Sequence, residues 1–141
     1  MKQTISFITL GVANLARSRA FYAALGWRES SGSQDEVAFY SAGTVAFALF
    51  QREALADDAG VPAAGSGFPG FTLAHNVASA AEVETTISDA IAAGGRLART
   101  PETAPWGGFR GYFADPDGFL WEVCWNPFFP LNEDGFVQLP G

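Results

Sequence analysis

Glu122 lies in the apolar run Phe119-Leu120-Trp121-Glu122-Val123-Cys124-Trp125, where a carboxylate needs a partner, a metal ion or water. His75, the single histidine, titrates near neutral pH and suits three roles: orienting a ligand, taking up a proton or holding a metal. Together the two side chains offer acid–base exchange or half of a metal site. Arg110 follows Trp106-Gly107-Gly108, so a cation and a stacking ring flank two glycines that let backbone approach a bound molecule. An ordinary loop fits that segment equally well. Asp115 and Asp117 bracket Pro116 in a tight turn that uses Asp for backbone hydrogen bonds, and both read as structural. Cys124 has no cation or histidine beside it in sequence and reads as an inert buried thiol.

These residues need a framework to place them. Asp115-Pro116-Asp117-Gly118 predicts a four-residue loop between two arms, Phe109 to Ala114 and Phe119 to Trp125, whose aromatic and branched residues suit paired strands. Alternation along the second arm puts Trp121, Val123 and Trp125 on a core face and Leu120, Glu122 and Cys124 on the other. Earlier, Thr4 to Val12 reads as a strand. Asn14 then caps a helix to about Leu25 that buries Ala20, Phe21, Ala24 and Leu25 and stops at Gly26. Strands are expected at Trp27 to Ser31, Val37 to Ser41 and Val45 to Gln51. Periodicity is lost from Arg52 to Pro69, which reads as a linker. A strand from Phe71 to Val77 follows, with Phe71, Leu73 and His75 expected on the cavity side. Ser79 and Glu82 form a capping box before a helix carrying Val83, Ile87 and Ile91, Gly94-Gly95 ends it, and a strand begins at about Arg96.

The order βαβββ therefore occurs twice, predicting one α/β (α+β) domain. Module one covers about 1–51, the linker about 52–69, module two about 70–126 and an apolar tail 127–141. A module of this size is too small for a secure core of its own. The charge of −7, with eight Lys plus Arg among 141 residues, argues against a nucleic-acid or anionic membrane surface. The first residues lack the apolar core of a signal peptide and no run reaches membrane-spanning length, so a cytoplasmic protein is expected. One cysteine excludes an internal disulfide and a Cys-rich metal cluster. Unpaired sheet edges and the apolar tail lead us to expect a homodimer.

Two βαβββ modules, the opening Phe7-Ile8-Thr9-Leu10-Gly11-Val12 with Leu15-Ala16-Arg17-Ser18-Arg19-Ala20-Phe21-Tyr22 and Leu25-Gly26, and the closing Asp115-Pro116-Asp117-Gly118-Phe119-Leu120-Trp121-Glu122 resemble the vicinal oxygen chelate superfamily. That superfamily includes glyoxalase I, extradiol dioxygenases, and fosfomycin- and bleomycin-resistance proteins. The resemblance runs to about Asn126 and implies curved sheets around a cup-shaped cavity, with a divalent metal in many members.

The metal-ligand positions implied by the resemblance fall on Phe7, about Ala48, Phe71 and Glu122, and only Glu122 has a lone pair to give. The expectation is a protein without the usual metal, and a displaced ion on His75 and Glu122 is the alternative. The resemblance to bleomycin-resistance-type members then implies binding of a small apolar or aromatic molecule. Phe7, Phe47, Phe71, Trp106 and Phe113 would supply surface, and His75, Arg110 and Glu122 the orienting polar groups. An enzyme remains the other reading: a glyoxalase-like lyase, isomerase or dioxygenase with a displaced metal, or proton transfer between His75 and Glu122. A dimer whose own side chains fill the cup is the third.

Overall fold

A computed structural model describes residues 1, 6–59, 62–69 and 71–139. Thr4 and Ile5, expected to open the first strand, lie outside them. The chain divides into two compact units, Met1–Pro69 and Gly70–Gly141.

The first unit runs β1 (Phe7–Val12), α1 (Leu15–Ala24), β2 (Val37–Ala42), β3 (Val45–Gln51) and α2 (Arg52–Asp58), with a sheet in the order β1-β3-β2. Asn14 starts α1 as expected, its side-chain oxygen accepting from the Arg17 N–H at 2.9 Å. Gly26, at φ +86°, ends the helix: its N–H bonds the Ala23 carbonyl, and the Trp27 N–H bonds that of Tyr22. The buried face of α1 is Leu15, Ser18, Phe21 and Tyr22; Ala20 and Ala24 point outward, contrary to expectation. Tyr22 packs at 5.1 Å against Phe47 and at 5.5 Å against Trp27, and Tyr40 joins this cluster. The aromatic mass of the first unit thus sits between α1 and one side of its sheet.

Two expectations need correction here. Trp27 to Ser31 does not form a full strand but makes a single bridge, Glu29 to Tyr40. Arg52, placed at the start of a linker, instead begins α2. Seven residues are too few to display a period, yet Glu53, Ala54, Leu55 and Ala56 favour helix and Leu55 packs over Gly11.

The second unit runs β4 (Leu73–Asn76), α3 (Ala80–Ala92), β5 (Arg96–Thr103), β6 (Phe109–Ala114) and β7 (Leu120–Trp125), in the sheet order β4-β7-β6-β5. Ser79 caps α3 by accepting from the Glu82 N–H at 3.3 Å, while Glu82 reaches back to the Ala78 N–H. Val83, Ile87 and Ala90 form the buried stripe of α3; Ile91 is exposed. Gly111 lets the helix settle on the sheet: a Cβ there would stand 2.6 Å from Ile87 Cδ1 and 3.0 Å from the Arg99 carbonyl. This fixes the helix face of the sheet as that of Gly111, and therefore of Phe113, Trp121 and Val123.

The turn between β6 and β7 is shorter than expected. Asp115 and Phe119 pair through an N–H···O bond of 2.9 Å, leaving a loop of three residues, Pro116-Asp117-Gly118, closed by Gly118 at φ +91°. Gly111→Ala should lower stability by about 1–3 kcal/mol through overpacking beneath α3. An unchanged urea midpoint in that variant would contradict this packing.

Candidate functional site

Strand register decides which side chains meet in the second unit. Tyr112 stands opposite Glu122, and Arg110 opposite Cys124. On the other side of β7, Ala74 faces Glu122 while His75 faces Val123. Since Gly111 and Val123 lie beneath α3, residues Arg110, Tyr112, Glu122, Cys124 and Ala74 share the opposite face. Counting outward from the Asp115–Phe119 hydrogen-bonded pair makes Tyr112 and Glu122 a non-hydrogen-bonded pair. Their Cα atoms are then about 4.5 Å apart and their side chains close together.

Arg110 is 8% exposed, and its Nη1 donates to Glu102 Oε1 at 3.2 Å. The same oxygen accepts from Arg99 Nε at 3.0 Å, so one carboxylate serves two guanidiniums. Hydrogen bonds from Arg99 and then Arg110 hold the Glu102 carboxyl below its ordinary range. Burial, followed by the Glu122 charge, raises the Tyr112 phenol, which stays a neutral donor at physiological pH. Burial and the Glu122 charge push the Cys124 thiol up to about 11, leaving it without thiolate reactivity. The row thus offers one cation in excess on β5 and β6, a phenol donor, and a half-buried carboxylate on β7.

His75 does not join this row. It lies on the edge strand with its side chain on the α3 side, so it and Glu122 occupy opposite faces of one sheet. Expecting it on the same face as Glu122 was an error of parity: Leu73 and His75 stand opposite Trp121 and Val123, on the α3 side of the strand. Burial lowers its pKa, and the nearby Glu82 opposes the shift.

The aromatic candidates divide in the same way. Phe113 is 3% exposed and stacks on Trp121 at 6.1 Å on the α3 side; the three-residue loop sets it in the core rather than in a cavity. Phe47 is 2% exposed within the aromatic cluster under α1, which makes it a core residue too. Phe71 precedes β4, is exposed and tilts against Phe119 at 6.1 Å. Trp106 is exposed and folds over Gly108, while Phe128 of the tail lies over Gly107; those glycines make room for the chain's own rings. Phe7 keeps an outward position. It meets Phe39 edge-on at 5.9 Å and lines a groove of about 500 Å³ in the first unit, with Ser30, Ser41, Thr44 and Ala46. Tyr112, Glu102 and Phe39 are participants that sequence reasoning missed. Alternation in the hairpin arms, counted from a three-residue loop, would have found Tyr112.

Residues 4–123 match the family model of the Glyoxalase/Bleomycin resistance protein/Dioxygenase superfamily. The chain belongs to that superfamily. A glyoxalase-related enzyme from Fulvimarina pelagi is 37% identical over 99% of both chains, with a TM-score of 0.90. A glyoxalase/bleomycin resistance protein/dioxygenase from Nocardioides is 27% identical over 99% of this chain and 91% of that one, with a TM-score of 0.72. Lactoylglutathione lyase from Agrobacterium tumefaciens shares the fold at 22% identity and a TM-score of 0.66, covering 89% of this chain and 96% of that one. No curated protein matches in sequence.

The superfamily's metal can be tested against the side chains present. Phe7, Ala48 and Phe71 offer no donor atom, and within either unit no three His, Cys, Asp or Glu side chains among the described residues converge. The side chains described at those positions do not supply the donor set of a divalent ion.

The lowered pKa of His75 has a signed consequence. A group that is harder to protonate when folded stabilises the fold above its ordinary value of about 6.5, and that contribution is lost as pH falls further. The melting temperature should therefore drop on acidification below about 6.5 with a component that is missing in His75→Gln; more than a third of the residue is exposed, so the component is small. Parallel curves for the two proteins would contradict it.

Proposed function

We propose that this superfamily member binds a small apolar or aromatic molecule on the face of its first sheet opposite α1, without the divalent ion that the resemblance implies. One observation carries the reading. A position where the resemblance implies a metal ligand holds Phe7, whose ring pairs with Phe39 in a groove edged by the hydroxyls of Ser30, Ser41 and Thr44. Concave apolar surface with few polar groups is the usual build of a small-molecule site. Acid–base exchange between His75 and Glu122 loses its support, because a sheet separates the two side chains.

Indole serves as a probe. At a hundredfold excess over its dissociation constant a bound ligand stabilises by about 2.7 kcal/mol, a readily measured rise in melting temperature. Phe7→Ala should cut the indole response by more than half, and a response untouched by both Phe7→Ala and Phe39→Ala would place binding elsewhere. Elemental analysis after dialysis should find well below one divalent ion per chain; near-stoichiometric metal would overturn the metal-free part of the reading.

We also propose that the protein is a homodimer. Phe128, Phe136, Val137 and Leu139 leave the C-terminal segment with an exposed apolar surface that a second copy would cover. Light scattering at micromolar concentration should give twice the chain mass, and a monomer would contradict the assignment.

A further inference from the structure

The face of the second sheet turned away from α3 carries two opposite charges that do not neutralise each other. Arg110 is drawn toward β5 by Glu102, but Glu102 also receives Arg99, so two guanidiniums share one carboxylate. One positive charge is left in excess. Across β7, Glu122 accepts a hydrogen bond from the Tyr112 phenol opposite it on β6 and faces the methyl group of Ala74 on β4. No cation among the described residues is paired with it in an ion pair. Leu120, Cys124 and Ala114 on this face are apolar, Cys124 stays a neutral thiol, and Asn76 opposite it on β4 adds an uncharged amide. Such a surface repels a simple carboxylate through Glu122 and a simple amine through the Arg99–Arg110 pair.

We infer that this row selects a zwitterion, an α-amino acid with an aromatic or apolar body, whose carboxylate takes Arg110 and whose ammonium takes Glu122. The inference rests on the reading of this chain as a small-molecule binder and adds the polar class of a ligand held on the second sheet. The register places the two charges side by side on one face. Arg110 and Glu122 are diagonal neighbours across two antiparallel strands, about 7–8 Å apart at the backbone. Arg110 is held by Glu102 before any ligand arrives, so little side-chain order remains to be imposed on binding.

The test uses the purified full-length protein at neutral pH and four probes in ligand-observed NMR titrations: phenylalanine, 3-phenylpropionate, 2-phenylethylamine and indole. Phenylalanine should bind roughly tenfold or more tightly than either singly charged analogue, as expected for a hydrogen bond between charged groups. Glu122→Gln, which keeps the shape of a half-buried side chain, should reduce phenylalanine to the affinity of 3-phenylpropionate. Binding of indole with equal affinities for phenylalanine and its two analogues would overturn the inference while leaving the apolar-binding reading in place, as would binding of indole alone. Failure of all four probes would overturn both. Arg110→Lys gives a second check: it keeps the charge but loses the planar fork, so the phenylalanine advantage should shrink severalfold, and an undiminished advantage with an unchanged melting temperature would count against Arg110 as the carboxylate partner.

Discussion

The carboxylate of Asp115 is buried to 1% exposure, and its Oδ1 accepts the N–H groups of Asp117 at 3.0 Å and Phe119 at 2.9 Å. A buried backbone N–H without a partner costs about 1–3 kcal/mol, so this one oxygen fixes the shape of the turn. Gly118 completes it with a positive φ that a side chain would resist. The loop is thereby held at three residues, and its length sets the register of the whole hairpin. One residue more would pair Tyr112 with Trp121 and exchange the two faces of the arm. The polar row of Arg110, Tyr112 and Glu122, and the core of Phe113, Trp121 and Val123, both follow from that turn.

The helix supplies the second constraint. Ile87 of α3 rests against Gly111, which commits one face of the sheet to the core and leaves the other to carry charge. The division shows in the electrostatics. Glu122 raises both Tyr112 and Cys124 on its own face, whereas His75, beyond the sheet, responds to burial and to Glu82. In the first unit the same logic operates through aromatic packing: Tyr22, Trp27, Tyr40 and Phe47 occupy the α1 side, and Phe7 and Phe39 are left on the other.

Much of this fold was legible in the residues. Asn14, Gly26, Ser79 with Glu82, and the Asp-Pro-Asp-Gly turn each carry a local hydrogen-bonding or conformational requirement, and the helices and the hairpin formed where they indicated. The family resemblance was legible for the same reason, since its motifs coincide with those caps and turns. The candidate site was less so. Assigning Phe47, Phe113 and His75 to a cavity needed the parity of three strands, and parity depends on the pairing register rather than on composition. Trp106 and its glycines misled in another way, because sequence cannot tell whether an opened backbone receives a ligand or a ring of the same chain.

The account depends most on the two-sidedness of the second sheet, with Glu122 and Tyr112 on one face and His75 on the other. Nuclear Overhauser spectroscopy on isotopically labelled protein measures it directly. The Hα protons of Tyr112 and Glu122 should give a strong cross-peak, and the His75 ring should contact Val123 methyl groups with no contact to the Glu122 side chain. Cross-peaks from His75 to Glu122, or from Tyr112 Hα to Trp121 Hα, would contradict the register on which the site is built.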